Sequence, residues 1–144
     1  MCGRLFQTLP LMRLLKIART NNCTNEDKHT SSFNVCPTTY VPVIKPNRFY
    51  LDEHPEQAPS KNEDMEREEC RELTYMKWGH QSKFNMVING RIEEMLSKRM
   101  FVNNIENRCV VIMEGYYEWN QKKEPFSLRP KEGDHFLVAG LYTE

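Results

Sequence analysis

The chain begins Met1-Cys2-Gly3-Arg4, and Cys2 gains a second reactive group if the methionine is removed. Cysteine is small enough to favour that removal, which leaves a free α-amine and a thiol on one residue. The α-amine has an ordinary pKa of about 8 against about 10.4 for lysine, so far more of it is neutral at pH 7. A neutral amine adds to an aldehyde to give a Schiff base. The thiol, with a pKa near 8.5, sits two carbons away and can close onto the imine carbon. The product is a five-membered thiazolidine, and intramolecular closure gives it a high effective molarity. Serine would supply a weaker nucleophile, and lysine lacks the adjacent thiol. A chance cysteine at position 2 is the plainer account. With five cysteines in 144 residues that account is weak, although position alone does not decide.

Three further clusters carry chemistry. In Glu114-Gly115-Tyr116-Tyr117-Glu118-Trp119 a carboxylate lies between aromatic residues just after an apolar run. Partial desolvation there would favour its neutral form and suit proton transfer at a Schiff base. The plainer alternative is a solvated glutamate at a strand edge. In Asn89-Gly90-Arg91-Ile92-Glu93, Asn89 is placed to cap a helix. Arg91 beside that helix start could bind a phosphate. Trp78-Gly79 closes a strand-like run. Its tryptophan is either core or, if exposed, a stacking surface for a base.

The other cysteines are Cys23, Cys36, Cys70 and Cys109. The total is odd and no pair has Cys-x-x-Cys spacing, so neither a disulfide framework nor a usual zinc site is expected. Free thiols in a reducing compartment are expected instead. Cys109, inside an apolar run, reads as a small core residue. No organic cofactor or metal is indicated.

The elements that must hold these residues belong to a chain of one-domain size. Mean hydropathy is −0.71 and charged residues make up 28%. No apolar run approaches membrane-spanning length. Arg4, Arg13 and Lys16 interrupt the apolar residues near the N-terminus, against a signal peptide. An intracellular chain with no membrane partner is expected, nuclear in a eukaryote or cytoplasmic in a bacterium. Net charge is zero, but Asp52 to Glu72 holds nine acidic and three basic residues. The remainder carries 17 basic against 11 acidic residues, a surplus of six. That surplus is compatible with a phosphate-binding surface, or with an ordinary solvated one.

Thr8 to Thr20 reads as a helix, capped by Thr8, with Pro10 in its first turn and Leu11, Leu14, Leu15 and Ala18 on one face. Asn21 to Ser32 reads as a polar loop and Phe33 to Pro37 as extended. Tyr40 to Ile44 reads as a strand that Arg48 to Leu51 could pair across a Pro46-Asn47 turn. Residues 52–72 read as a charged, mobile surface insertion. Leu73 to Trp78, Arg108 to Met113 and Tyr116 to Trp119 read as strands, and Ile92 to Phe101 as a second helix. Pro125 to Arg129 and His135 to Tyr142 read as two strands joined across residues 131–134. The expectation is a β-rich α+β domain with two main helices.

The ordered set Cys2-Gly3-Arg4, Asn34-Val35-Cys36-Pro37-Thr38, Trp78-Gly79, Asn89-Gly90-Arg91-Ile92-Glu93, Glu114 to Trp119 and Ala139-Gly140-Leu141-Tyr142 resembles the SRAP (SOS-response-associated peptidase) family. The resemblance spans nearly the whole chain apart from the acidic stretch. It implies a monomer that binds abasic sites in single-stranded DNA and bonds to the opened sugar as a thiazolidine, shielding the lesion. It casts Cys2 as the nucleophile, Asn89 as the residue that orients the sugar, and Glu118 as acid and base on the Schiff base. Arg4, Asn34, Trp78 and Arg91 would line the DNA-binding face. The family name also records a peptidase activity, most simply removal of the residue before the cysteine.

Three features depart from the family pattern. The His-x-Arg-Met-Pro motif that usually follows the Ala-Gly-aromatic strand is not among these residues, and none of His29, His54, His80 or His135 matches it. The resemblance therefore implies a domain incomplete at its C-terminus. The hydrophobic segment and extra tryptophan that usually follow Trp-Gly are replaced by His80-Gln81-Ser82-Lys83. The usual alanine after the motif asparagine is Gly90. Two other functions fit the same residues: a self-processing thiol peptidase, and a non-catalytic module that binds single-stranded DNA.

Overall fold

A computed structural model describes residues 3–58, 68–81 and 85–143. Cys2 and Ser82-Lys83 lie outside the described residues, as do residues 59–67 of the acidic stretch.

The fold is strand-rich α+β, as expected. Its centre is a five-stranded sheet with β4 (Tyr40–Pro46) in the middle, flanked by β5 (Arg71–Lys77) and β8 (Arg108–Met113). The parallel strand β2 (Cys23–Thr24) extends it beyond β5, and β11 (Phe136–Leu141) beyond β8. A four-stranded sheet runs in the order β10 (Pro125–Leu128), β9 (Gly115–Trp119), β1 (Leu5–Gln7), β3 (Ser32–Val35). A two-stranded ribbon joins β6 (His80–Gln81) to β7 (Met86–Val87).

Alternation along the strands decides what each face packs against. Leu73, Tyr75 and Ile112 meet the amphipathic helix α1 (Leu11–Ala18) through Leu14 and Ala18. Val41, Val43, Cys109 and Met113 form a second cluster with Leu5 and Val35 of the four-stranded sheet. The result is three layers: helix, five-stranded sheet, four-stranded sheet.

Several local expectations need correction. The N-cap of α1 is Pro10, with no side-chain cap bond. Thr8 does not cap it, because its hydroxyl bonds the Glu114 carboxylate. Asn21 to Ser32 includes the short strand β2 and one 3₁₀ turn. Arg48 to Leu51 is not a strand: α2 (Arg48–Glu53) starts there, because the Asn47 side chain accepts from Tyr50 N at 3.2 Å. Strand β4 is already paired on both edges by β5 and β8. The second main helix is replaced by two single turns, α3 (Ile92–Met95) and α4 (Arg99–Val102). Ile92 and Leu96 of the expected stripe are 80% and 74% exposed, so no packed face holds a longer helix together. Strands β10 and β11 do not pair with each other: β10 pairs β9, whereas β11 pairs β8. Around the acidic stretch, Asp52 and Glu53 end α2, and Glu72 is buried in β5 in an ion pair with Lys45.

Candidate functional site

A cleft of about 1420 Å³ opens beside the inner faces of the two sheets. Trp78, Asn89, Gly90, Tyr116 and Glu118 are among its lining residues. Each arrives from a different element. Trp78 ends β5 and is tied into the 36–39 loop by two backbone hydrogen bonds of 2.8 Å, from Thr38 N to Trp78 O and from Trp78 N to Thr39 O. Gly79 follows at φ +105°, a conformation that side chains other than hydrogen rarely adopt. This bend sends the chain into the β6–β7 ribbon, which returns Ile88 to the tryptophan. Trp78 Nε1 donates to Ile88 O at 3.1 Å. The Trp-Gly pair therefore positions Ile88 and, next to it, Asn89. The Trp78 ring is half-buried against the cluster between the sheets.

Asn89 does not cap a helix. The N-cap of α3 is Arg91, two residues on, with no side-chain cap bond. The simplest non-catalytic role for Asn89 is thereby removed, and the residue faces the cleft. Arg91 is exposed, and its charge helps hold the Glu94 carboxyl below its ordinary range, after the larger effect of Lys98. With α3 a single turn, Arg91 gains little from a helix dipole.

Strand β9 carries Glu118 and Tyr116 on one face and Tyr117 and Trp119 on the other. Glu118 is half-buried opposite Phe126 of β10, facing the cleft. The N-terminal strand β1 lies between β9 and β3. A Cβ built on Gly3 would stand 4.0 Å from Ile88 Cδ1, so the backbone next to Cys2 reaches the Asn89 segment.

Arg4 and Asn34 are joined to each other, with Arg4 Nη1 donating to Asn34 Oδ1 at 2.9 Å. They line a smaller pocket of about 320 Å³ with Tyr117 and Trp119, on the opposite face of the sheet from Glu118. The structure thus groups Trp78, Asn89 and Glu118 in one place, Arg4 and Asn34 in a second, and leaves Arg91 outside both linings.

Glu114 was not among the candidates, yet it anchors the site's N-terminal strand. Its carboxylate accepts from Thr8 N, from Thr8 Oγ1 at 2.9 Å and from Leu9 N at 3.0 Å, while Glu114 N donates to Phe6 O at 3.2 Å. The one sequence signal was a second glutamate in the same motif, directly after the buried strand. Ile88 was also missed, because nothing in its type marks a residue that supports a tryptophan through its carbonyl.

Two other thiols are poorly suited to nucleophilic attack. Burial pushes Cys109 up to about 11. Burial, then Glu26 and Glu72, raises Cys23. Cys70 is buried as well.

The three layers and the cleft define a strand-rich α+β protein whose N-terminal strand is built into the wall of its candidate site. The profile of the SOS response associated peptidase (SRAP) family matches residues 1–144, and the chain belongs to that family. The chain is 26% identical over 131 residues to an abasic site processing protein of Saccharomyces cerevisiae, covering 82% of this chain and 30% of the yeast protein. It is also similar in fold to a crystal structure of a Bordetella bronchiseptica protein, with a TM-score of 0.61 at 15% identity. That match covers 97% of this chain and 63% of the other. The chain therefore spans less than a third of the yeast relative's length and under two thirds of the bacterial one.

Proposed function

We propose that this chain recognises abasic sites in single-stranded DNA and becomes covalently joined to them through Cys2 after Met1 is removed. The observation that carries the proposal is the approach of the Gly3 backbone to Ile88, where a Cβ built on the glycine would stand 4.0 Å from Ile88 Cδ1. It brings the residue after the nucleophile to a segment whose next residue, Asn89, lines the same cleft as Glu118. Membership of the family and the activity in the yeast relative's name support the same substrate.

The ring-opened abasic sugar presents an aldehyde. The Cys2 amine adds to its carbon, and loss of one water leaves an imine. Glu118 protonates the departing hydroxyl, which leaves the imine protonated on nitrogen. The thiol sulfur then bonds the imine carbon as the Glu118 carboxylate takes the thiol proton, and the nitrogen keeps its hydrogen and receives the C=N electron pair, closing the thiazolidine. One water is released in total. Asn89, with both an amide donor and an acceptor, orients the sugar hydroxyls.

Mass spectrometry of the purified chain first establishes the N-terminus. A processed, folded chain is then incubated with an abasic single-stranded oligonucleotide and run on a denaturing gel. A shifted band that survives denaturation and vanishes in Cys2→Ala is expected. Glu118→Gln should slow its formation by on the order of 100-fold, the usual range for loss of a general acid–base. Absence of the band in the processed wild-type chain would sink the proposal. Peptidase action, in this scheme, is removal of the residue before Cys2.

A further inference from the structure

Of the four histidines in the chain, three have fixed partners. His29 Nδ1 shares a hydrogen bond of 2.8 Å with the buried Tyr75 Oη. His54 stacks on Tyr50 with ring centroids 4.6 Å apart and lies 3.7 Å from the Glu56 carboxylate. His135 Nδ1 stands 2.6 Å from Asp134 Oδ1, an oxygen that also accepts from Arg13. None of these three lines the cleft, whereas His80 does. His80 is half-buried, and among the described residues its ring has no hydrogen-bond or ion-pair partner. The fold explains its place. The Gly79 bend turns the chain out of β5 into β6, where His80 pairs with Val87 of β7. Val87 is followed by Ile88, which the Gly3 backbone approaches, and then by Asn89. His80 therefore stands on the ribbon that the N-terminal strand reaches.

The reaction scheme above has one proton transfer without a carrier. As the neutral amine adds, the nitrogen lone pair bonds the aldehyde carbon and the C=O π pair moves to oxygen. The nitrogen then holds one proton too many and the oxygen one too few. Glu118 acts in the steps that follow, and the Asn89 amide does not titrate. An imidazole accepts on one ring nitrogen and donates from the other, so it moves a proton between two atoms with no net change in itself. We infer that His80 is a further catalytic residue of the crosslinking reaction. It takes a proton from the Cys2 nitrogen as the carbon–nitrogen bond forms and delivers one to the aldehyde oxygen. The product is the neutral carbinolamine that Glu118 then dehydrates. The inference rests on the covalent reading above. If His80 only shaped the ribbon, a glutamine would serve equally.

Processed wild type, His80→Ala and His80→Gln are each mixed with saturating abasic single-stranded oligonucleotide, and the denaturation-resistant band is followed in time. Circular dichroism reports folding. Anisotropy with an undamaged oligonucleotide reports non-covalent binding, so rate and affinity are separated. Both variants should crosslink on the order of 100-fold more slowly at saturation, the lower end of the range for a positioned acid–base group. Added imidazole should restore much of the rate in His80→Ala, where the space of the ring is empty, and leave His80→Gln slow. His80→Gln fills that space and decides the matter if the alanine variant loses its fold. A saturated rate in His80→Gln within about twofold of wild type would overturn the assignment. So would a loss in folded His80→Ala that imidazole does not reverse, or weaker DNA affinity with an unchanged saturated rate. A band that forms equally fast in the variants refutes the role of His80 alone. No band in processed wild type refutes the covalent reading and the role of His80 together.

Discussion

Glu114 and Glu118 stand four residues apart in one motif and do different work. Glu118 faces the cleft, whereas Glu114 accepts hydrogen bonds from the backbone and hydroxyl that follow β1. Removing the Glu114 carboxylate leaves those part-buried donors without it, and an unsatisfied buried donor costs about 1–3 kcal/mol. Glu114→Ala is therefore expected to lower stability by roughly 2 kcal/mol in urea unfolding. An unchanged midpoint would show that the N-terminal strand is held by its ladders alone. The place of Glu118 in the cleft wall was legible in the sequence because it alternates with aromatic residues along a strand that follows a buried one. Glu114 was not, because its partners Thr8 and Leu9 lie over a hundred residues away and only the fold brings them together. Trp78 was legible as a motif, but its role in presenting Ile88 and Asn89 depends on the Gly79 bend.

At the level of elements, strands β4, β5, β8 and β9 were legible because each has apolar positions with period two or a continuous buried run. The segment after Asn89 was not. Its apolar residues have helical spacing, yet Ile92 and Leu96 face outward and the helix breaks into two turns. The pairing of β10 and β11 was also beyond the sequence, since proximity in the chain suggests a hairpin whereas each strand has a partner in a different sheet. Within the 89–101 segment, Phe101 fills the space beside Gly90: a Cβ there would stand 2.9 Å from the far end of the ring. The departure from the family's alanine is thus matched by a neighbour that occupies the vacated space. Gly90→Ala is expected to destabilise the chain by about 1 kcal/mol, at the low end for overpacking because the ring can shift. Phe101→Leu should relieve most of that cost, so a double-mutant cycle should show favourable coupling. Strict additivity would mean that the ring does not press on residue 90.

For the whole molecule, charge was the least legible property and the most consequential. A net charge of zero conceals a basic remainder once residues 52–72 are set apart. Under the proposed function, Arg4 and Arg91 would each displace counterions on binding DNA. At about 0.7 per phosphate neutralised on a single strand, the slope of log affinity against log salt should be roughly −1.4. Fluorescence anisotropy across a salt series measures it, and a flat response would remove these residues as phosphate ligands.

Strand β1 lies inside its sheet, between β3 and β9. Its partner β3 is made early, but β9 ends at Trp119, more than a hundred residues later. At about 5–20 residues per second, synthesis of that stretch takes roughly 5–20 s. During that interval one edge of the N-terminal strand remains open, and a pairing this distant in sequence forms late in folding. In the proposed function, the residue before Cys2 would thus be open to removal before the strand behind it is locked in place, whichever activity removes it.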